Sequence, residues 1–129
     1  MLINATTRNI SILSINNVDF SPYNKFFYSA EDLIVVNQVI PTTSFVCEVE
    51  IYELSKGLID GIPTKEVSYG AITNLPAPQE GVFYILDNLV ASVAKSRGRT
   101  DILTASHPVY DASEPCGGPF ILGYLVLER

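Results

Sequence analysis

"GVFYILDNLVASVAKSRGRTD", residues 81–101, sets an apolar run directly before a helical pattern, and its reading decides the fold class. Val82 to Leu86 form a continuous apolar stretch of strand length. Asp87 follows as a helix N-cap, a residue type whose oxygen accepts from the unpaired N–H groups of a first turn, and the spacing predicts a helix over 88–96. Leu89, Val90, Val93 and Ala94 share one face of it, and Gly98 stands where a left-handed C′ residue turns the chain out. This is the longest helix expected, and it packs back on a sheet. Arg97, Arg99 and Asp101 close the stretch in a chain with only eight lysines and arginines, so they demand a role.

Outward from this stretch the chain reads mostly as β structure. In "SFVCEVEIYEL" (44–54), Phe45, Cys47, Val49 and Ile51 fall on one face and Val46, Glu48, Glu50 and Tyr52 on the other, which predicts one buried and one wet face. Asp60-Gly61 supplies the positive φ pair of a type I′ turn, and Val67, Tyr69 and Ala71 continue the returning strand. Toward the N-terminus, 9–15 reads as an imperfect strand before Asn16-Asn17. Residues 20–30, with Pro22, read as a loop or short edge segment, and "DLIVVNQVI" reads as a strand ending at Pro41. Pro76 and Pro78 make a rigid connector. Beyond the helix, "DILTA" and "PVYD" read as two short strands, "PCGGP" (115–119) as a hairpin turn, and "FILGYLVLER" as a central strand. The expected fold is α+β: a single domain over 1–129, mostly an antiparallel sheet of about six or seven strands, with one main helix at about 88–96.

Composition excludes several function classes. With 129 residues, 47% of them hydrophobic, the chain can bury a core without staples. A net charge of −6 argues against duplex nucleic acid as a partner, because such binding neutralises phosphates with Lys and Arg. Cys47 and Cys116 make no disulfide framework, and a single histidine builds no His/Cys metal cluster, so neither metal nor cofactor is expected. The opening "MLINATTRNI" lacks a basic segment followed by an apolar one, and no run approaches the ~18 apolar residues of a membrane span, which predicts a cytoplasmic protein with no membrane partner. A mean hydropathy of +0.25, with Tyr23, Phe26, Phe27 and Tyr28 in a polar segment, predicts a homo-oligomer.

Catalytic signatures are missing. His107 follows Ser106 in "TASHPVYD", but no Gly-x-Ser-x-Gly elbow accompanies them. No dinucleotide-binding or phosphate-binding glycine loop follows a strand. Arg97, Arg99 and Asp101 admit two readings. One is a dipole match at the helix end with an Arg99–Asp101 pair. The other is a binding cluster in which arginine takes a phosphate or carboxylate and Asp101 accepts from a ribose or base. On the second reading the ligand-binding candidates are Arg97, Arg99, Asp101, Tyr84, Asn88, Arg8 and His107.

"DGIP" (60–63), "YG" (69–70), "LPAPQEGVFYILDNLVA" (75–91), "RTDIL" (99–103) and "GYLVLE" (123–128) together resemble a family of small hypothetical proteins of bacteriophages and prophages. The resemblance covers most of the chain from residue 58 onward. "NATTRNI" is similar to the family's opening but lacks its proline and histidine, and Asp87 stands where the family has serine. The family carries no established activity; the resemblance implies a phage setting inside an infected or lysogenic bacterium. Joined to the missing catalytic motifs, it leads to the expectation of a non-enzymatic protein that sequesters a small nucleotide-derived signal, a cyclic nucleotide or an ADP-ribose-like molecule, against host defence. The alternatives are an inhibitor that binds a host protein, and a small enzyme or virion component.

Overall fold

The computed structural model describes residues 1–14, 27–28, 35–111 and 121–129. Nine strands and one helix are present among them: β1 (Leu2–Asn4), β2 (Ile10–Ser14), β3 (Phe27–Tyr28), β4 (Val35–Ile40), β5 (Glu48–Ile59), β6 (Ile62–Thr73), β7 (Phe83–Ile85), α1 (Asn88–Ser96), β8 (Ile102–Asp111) and β9 (Ile121–Glu128). Strand-rich with one helix, the chain is α+β. One sheet runs in the order β1-β7-β8-β9-β2-β4, with β3 added beside β8, and β5 and β6 form a separate two-stranded ribbon.

The seven strands of the main sheet agree with the expected six or seven, and the expectation of a mostly antiparallel sheet is met only in part. The β1–β7, β7–β8, β2–β9 and β3–β8 pairs are parallel, while β2–β4, β8–β9 and β5–β6 are antiparallel. The parallel centre follows from α1, which carries the chain from the end of β7 back to the start of β8, as a helical crossover does. β7 therefore lies between two parallel neighbours and is apolar on both faces. Tyr84 and Leu86 pack with Cys47, Val90, Ala91, Ala94 and Ile102 under the helix. Phe83 and Ile85 pack with Ile10, Ile40 and Leu103 on the other face. Double burial is the physical meaning of the uninterrupted apolar run at 82–86.

The helix bounds agree with the sequence reading: Arg97 is the C-cap and Gly98 follows at φ 91°. Its buried face is Val90, Ala91, Val93 and Ala94; Leu89, expected inside, is 42% exposed. "DILTA" and "PVYD" are one strand, not two, because Pro108 sits within the β8–β9 ladder opposite Tyr124. The described partners on the other side of β8 reach only Ile102–Leu103 and Tyr110–Asp111, so on that side a missing N–H at Pro108 costs no ladder bond. "PCGGP" and the aromatic positions Tyr23 and Phe26 lie outside the described residues. Of Phe27 and Tyr28 the backbone alone is described, paired with β8.

The β5–β6 ribbon departs most from expectation. Its turn is at Asp60-Gly61, with φ of 50° and 79°, as the sequence indicates. The face expected to be buried is buried only at its base. Cys47 is 1% exposed, Phe45 and Val49 are half-buried, and Ile51 is 51% exposed. Beyond that point both strands run past the sheet and the helix into solvent.

β9 lies close against β2 at Gly123. A Cβ there would meet the Ser11 carbonyl oxygen at 2.6 Å and the Leu13 side chain at 2.8 Å. Neither a ladder carbonyl nor a buried leucine can yield cheaply. Gly123→Ala is therefore expected to lower stability by about 2 kcal/mol, in the range of overpacked core sites, as read from the midpoint of urea unfolding.

Candidate functional site

β1 and β7 run parallel, so the segments that follow them emerge at the same edge of the sheet. The first is Ala5 to Asn9, and the second is Leu86-Asp87, leading into α1. Between them lies a cavity of about 420 Å³ lined by Thr6, Thr7, Arg8, Asn9, Leu86, Asp87, Asn88 and, from β9, Gly123 and Tyr124. The carboxyl ends of parallel strands are where open α/β sheets place ligands, because the loops there are free of ladder bonding and a helix begins beside them.

The Thr6–Asn9 rim is held by a buried polar residue. Asn4, with no exposed surface, ends β1. Its Nδ2 donates to the carbonyls of Arg8 (2.8 Å) and Ile40 (3.1 Å). Its Oδ1 accepts from the Thr6 N–H (3.0 Å) and the Thr6 hydroxyl (2.6 Å). Its backbone oxygen accepts from Thr43 N–H (3.2 Å) and the Thr43 hydroxyl (2.9 Å). One side chain thus replaces the ladder hydrogen bonds that the turn after β1 loses, which satisfies the rule that buried polar groups find partners. The turn's shape, and with it the placement of Arg8, depends on Asn4.

The helix start forms the opposite wall. Asp87 has the extended backbone of an N-cap (φ −62°, ψ 152°), and its carbonyl accepts from Ala91 N–H at 2.8 Å, but its carboxylate makes no capping bond. The position is the one the sequence indicates, and the expected side-chain cap is absent. First-turn N–H groups have no partner within a helix, and no acidic residue lies in this first turn. The positive end of α1 therefore opens beside the cavity, with the Asp87 carboxylate and the Asn88 amide in its wall.

Of the seven candidate residues read from the sequence, Arg8 and Asn88 line this cavity together. Arg97, Arg99 and Asp101 follow the other end of α1, toward the start of β8, and are absent from its lining. Arg99 donates from Nε and Nη2 to the two Asp101 oxygens, each at 2.8 Å, and from Nη2 to the Pro76 carbonyl at 2.9 Å. The pair is mostly buried, with 19% and 10% of the two side chains exposed. It clamps the helix exit and β8 to the proline connector, so Nε and Nη2 of Arg99 and both Asp101 oxygens are engaged within the chain. The hydrogen bonds from Arg99 hold the Asp101 carboxyl below its ordinary range against the opposing effect of burial. Arg97 donates to the Tyr69 carbonyl at 3.0 Å, tying α1 to the ribbon. Tyr84, 1% exposed, belongs to the core on the α1 side of β7. His107 lies in β8, and its side chain is outside the described residues.

Cys47 is the buried thiol that the alternating pattern indicates, and burial pushes its pKa up while the nearby Arg99 charge opposes the shift. Cys116 lies outside the described residues. Among the described residues no three His, Cys, Asp or Glu side chains gather as a metal site, and no helix is long and apolar enough to cross a membrane.

Asn4, Thr6, Asn9, Asp87 and Tyr124 escaped the sequence reading as parts of one site. For Asn4, Thr6 and Asn9 the local signal was the polar run "NATTRN" between apolar segments, which marks a loop without saying what it faces, and Asp87 was legible only as a helix N-cap. No protein-family model, curated protein or solved structure matches the chain.

Proposed function

We propose that this chain is a non-enzymatic binding protein of phage type that sequesters a small nucleotide-derived signalling molecule, a cyclic nucleotide or an ADP-ribose-like compound, in the cytoplasm of a bacterial host. The observation that carries the reading is the cavity at the shared edge of β1 and β7. Its volume of about 420 Å³ falls in the range of small-molecule sites. It joins three chemistries that a nucleotide needs. Arg8, with the open N–H groups of the α1 start, takes a phosphate, for which a guanidinium fork and a helix N-terminus are suited. Asp87 accepts from ribose hydroxyls, which a ligand with phosphate alone does not offer. Tyr124 presents a ring to a base. Retention needs only affinity, so the absence of a paired base and nucleophile from the reading is no obstacle.

The test is to incubate the purified protein with a panel of cyclic nucleotides and ADP-ribose derivatives, remove the unbound fraction, denature, and identify what is released by mass spectrometry. One intact ligand in stoichiometric amount is expected. A converted product would make the protein an enzyme, and an empty protein would remove the ligand reading. With the ligand in hand, Arg8→Gln is expected to weaken binding by about 10- to 100-fold, the worth of a lost charge-assisted hydrogen bond, with the melting temperature unchanged. The proposal keeps the chain as a homo-oligomer, because eight of the exposed large apolar side chains among the described residues lie on the β5–β6 ribbon.

A further inference from the structure

We infer that the cavity selects a ligand with a single phosphate charge, a cyclic mononucleotide, and that Asp87 is the residue that turns away ligands with two. The inference rests on the ligand reading above and narrows it.

The cavity is the mouth of a closed ring of strands. Beyond β4, Thr42 bridges Asn4 in parallel. The Thr43 N–H donates to the Asn4 carbonyl at 3.2 Å, and Asn4 Nδ2 donates to the Ile40 carbonyl at 3.1 Å. The two ends of the order β1-β7-β8-β9-β2-β4 therefore meet. Ile10, Ile40, Ile85 and Leu103, from four of these strands, are each at most 6% exposed and pack in one cluster. Small barrels are filled by such side chains and take ligands at their mouths.

Ile10 and Ile85 also line the cavity, so its floor is packed core that a ligand cannot displace. Size then favours a compact ligand. A cyclic mononucleotide brings one base, one ribose and one phosphate. ADP-ribose adds a second ribose and a second phosphate in line, and a cyclic dinucleotide doubles every part. A space of about 420 Å³ stands near the low end of the range for ligand sites, roughly 300–1,000 Å³, and suits the first of these.

Charge points the same way. Among the described residues of the lining, Arg8 is the one cation and Asp87 the one carboxylate. An aspartate at an N-cap ordinarily accepts from a first-turn N–H, but Asp87 makes no such bond. One phosphate charge is balanced by Arg8. A second meets no further cation among the described lining residues and shares the mouth with the Asp87 carboxylate, and like charges brought together oppose binding. The same carboxylate accepts from a free ribose hydroxyl, which in a 3′,5′-cyclic nucleotide is the 2′-OH. Asp87 thus holds the sugar and rejects the extra charge.

Isothermal titration calorimetry of the full chain tests this with the 3′,5′-cyclic monophosphates of the common nucleosides, ADP-ribose and cyclic di-AMP. One cyclic monophosphate is expected to bind about 10-fold or more tighter than both two-phosphate probes. Its 2′-deoxy analogue is expected to bind about 10-fold more weakly, the loss of one charge-assisted hydrogen bond. Asp87→Asn keeps the shape and removes the charge. It is expected to narrow the preference over ADP-ribose by about 10-fold and to shrink the 2′-deoxy effect, with the melting temperature unchanged. Arg8→Gln, in contrast, is expected to weaken every phosphate probe. If the Asp87 variant does not fold, the wild-type preferences decide the matter. ADP-ribose or cyclic di-AMP bound as tightly as any cyclic monophosphate, or a preference unmoved by Asp87→Asn, would overturn the inference and leave ligand capture standing. Binding of no probe would overturn both.

Discussion

Asn4→Ala is expected to destabilise the protein by about 4 kcal/mol, a large part of the 5–15 kcal/mol that holds an ordinary domain together. The side chain is fully buried, and it serves four groups. On its loss the Thr6 hydroxyl can turn to the Arg8 carbonyl, 3.0 Å away. The Thr6 N–H loses its partner, and a buried group left without its partner costs about 1–3 kcal/mol. A cavity adds to this.

Asn4→Asp separates the two contributions, since it leaves no cavity. It replaces the donor by a second acceptor facing the Arg8 and Ile40 carbonyls, and it buries a charge. This variant is expected to be at least as unstable as Asn4→Ala at neutral pH. Its deficit narrows as the pH falls. Burial raises the new carboxyl's pKa in the folded state, so the folded state binds the proton more tightly than the unfolded chain does, and acid then favours folding. Urea midpoints at neutral and mildly acidic pH read both effects. A deficit that is small, or that does not change with pH, would show that Asn4 does not carry the turn. Because the turn presents Arg8 to the cavity, partly folded Asn4 variants should also lose ligand.

The second large effect is at the other end of the helix. Arg99→Ala is expected to cost about 3 kcal/mol, because it strands Asp101 in a mostly buried position and frees the Pro76 connector. Arg99→Lys keeps the charge but not the planar fork and should recover only part of this. Asp101→Asn keeps the shape and removes the charge. The folded pKa of Asp101 lies below the ordinary value of 3.8, so its stabilisation is fully present above that value and is lost as the pH falls through the folded one. The stability gap between wild type and Asp101→Asn should therefore be flat at neutral pH and shrink in acid. A gap constant down to the acid limit would contradict the ion pair.

Much of the local structure was legible in the chain alone. The helix at 88–96 was written in its spacing, in an N-cap residue and in Gly98. The Asp60-Gly61 turn was written in the positive φ that these two residues accept, and the apolar run at 82–86 marked a strand. These are properties of neighbours within a turn or two, where backbone sterics and hydrogen-bond reach act. Strand direction was misread: the apolar run at 82–86 followed by a helix fits a parallel crossover, but which strands pair with β7 depends on where distant segments of the chain return. Ile51, Tyr69 and Val67 alternate like core residues, and only the length of the ribbon beyond the sheet leaves them exposed.

The site divides in the same way. Residue types singled out the cations and acids of the chain, but Arg99 and Asp101 satisfy each other, whereas Arg8 lines one cavity with Asp87, Asn88 and Tyr124, which are far from it in the chain. Sequence by itself determined the helix, the Asp60-Gly61 turn and the strand at 82–86, because each follows from short-range preferences, whereas β1 was not read from it and 102–111 read as two strands. Which residues line a cavity together was decided only by the tertiary structure, because the parallel pairing of β1 with β7 brings two distant loops to one edge.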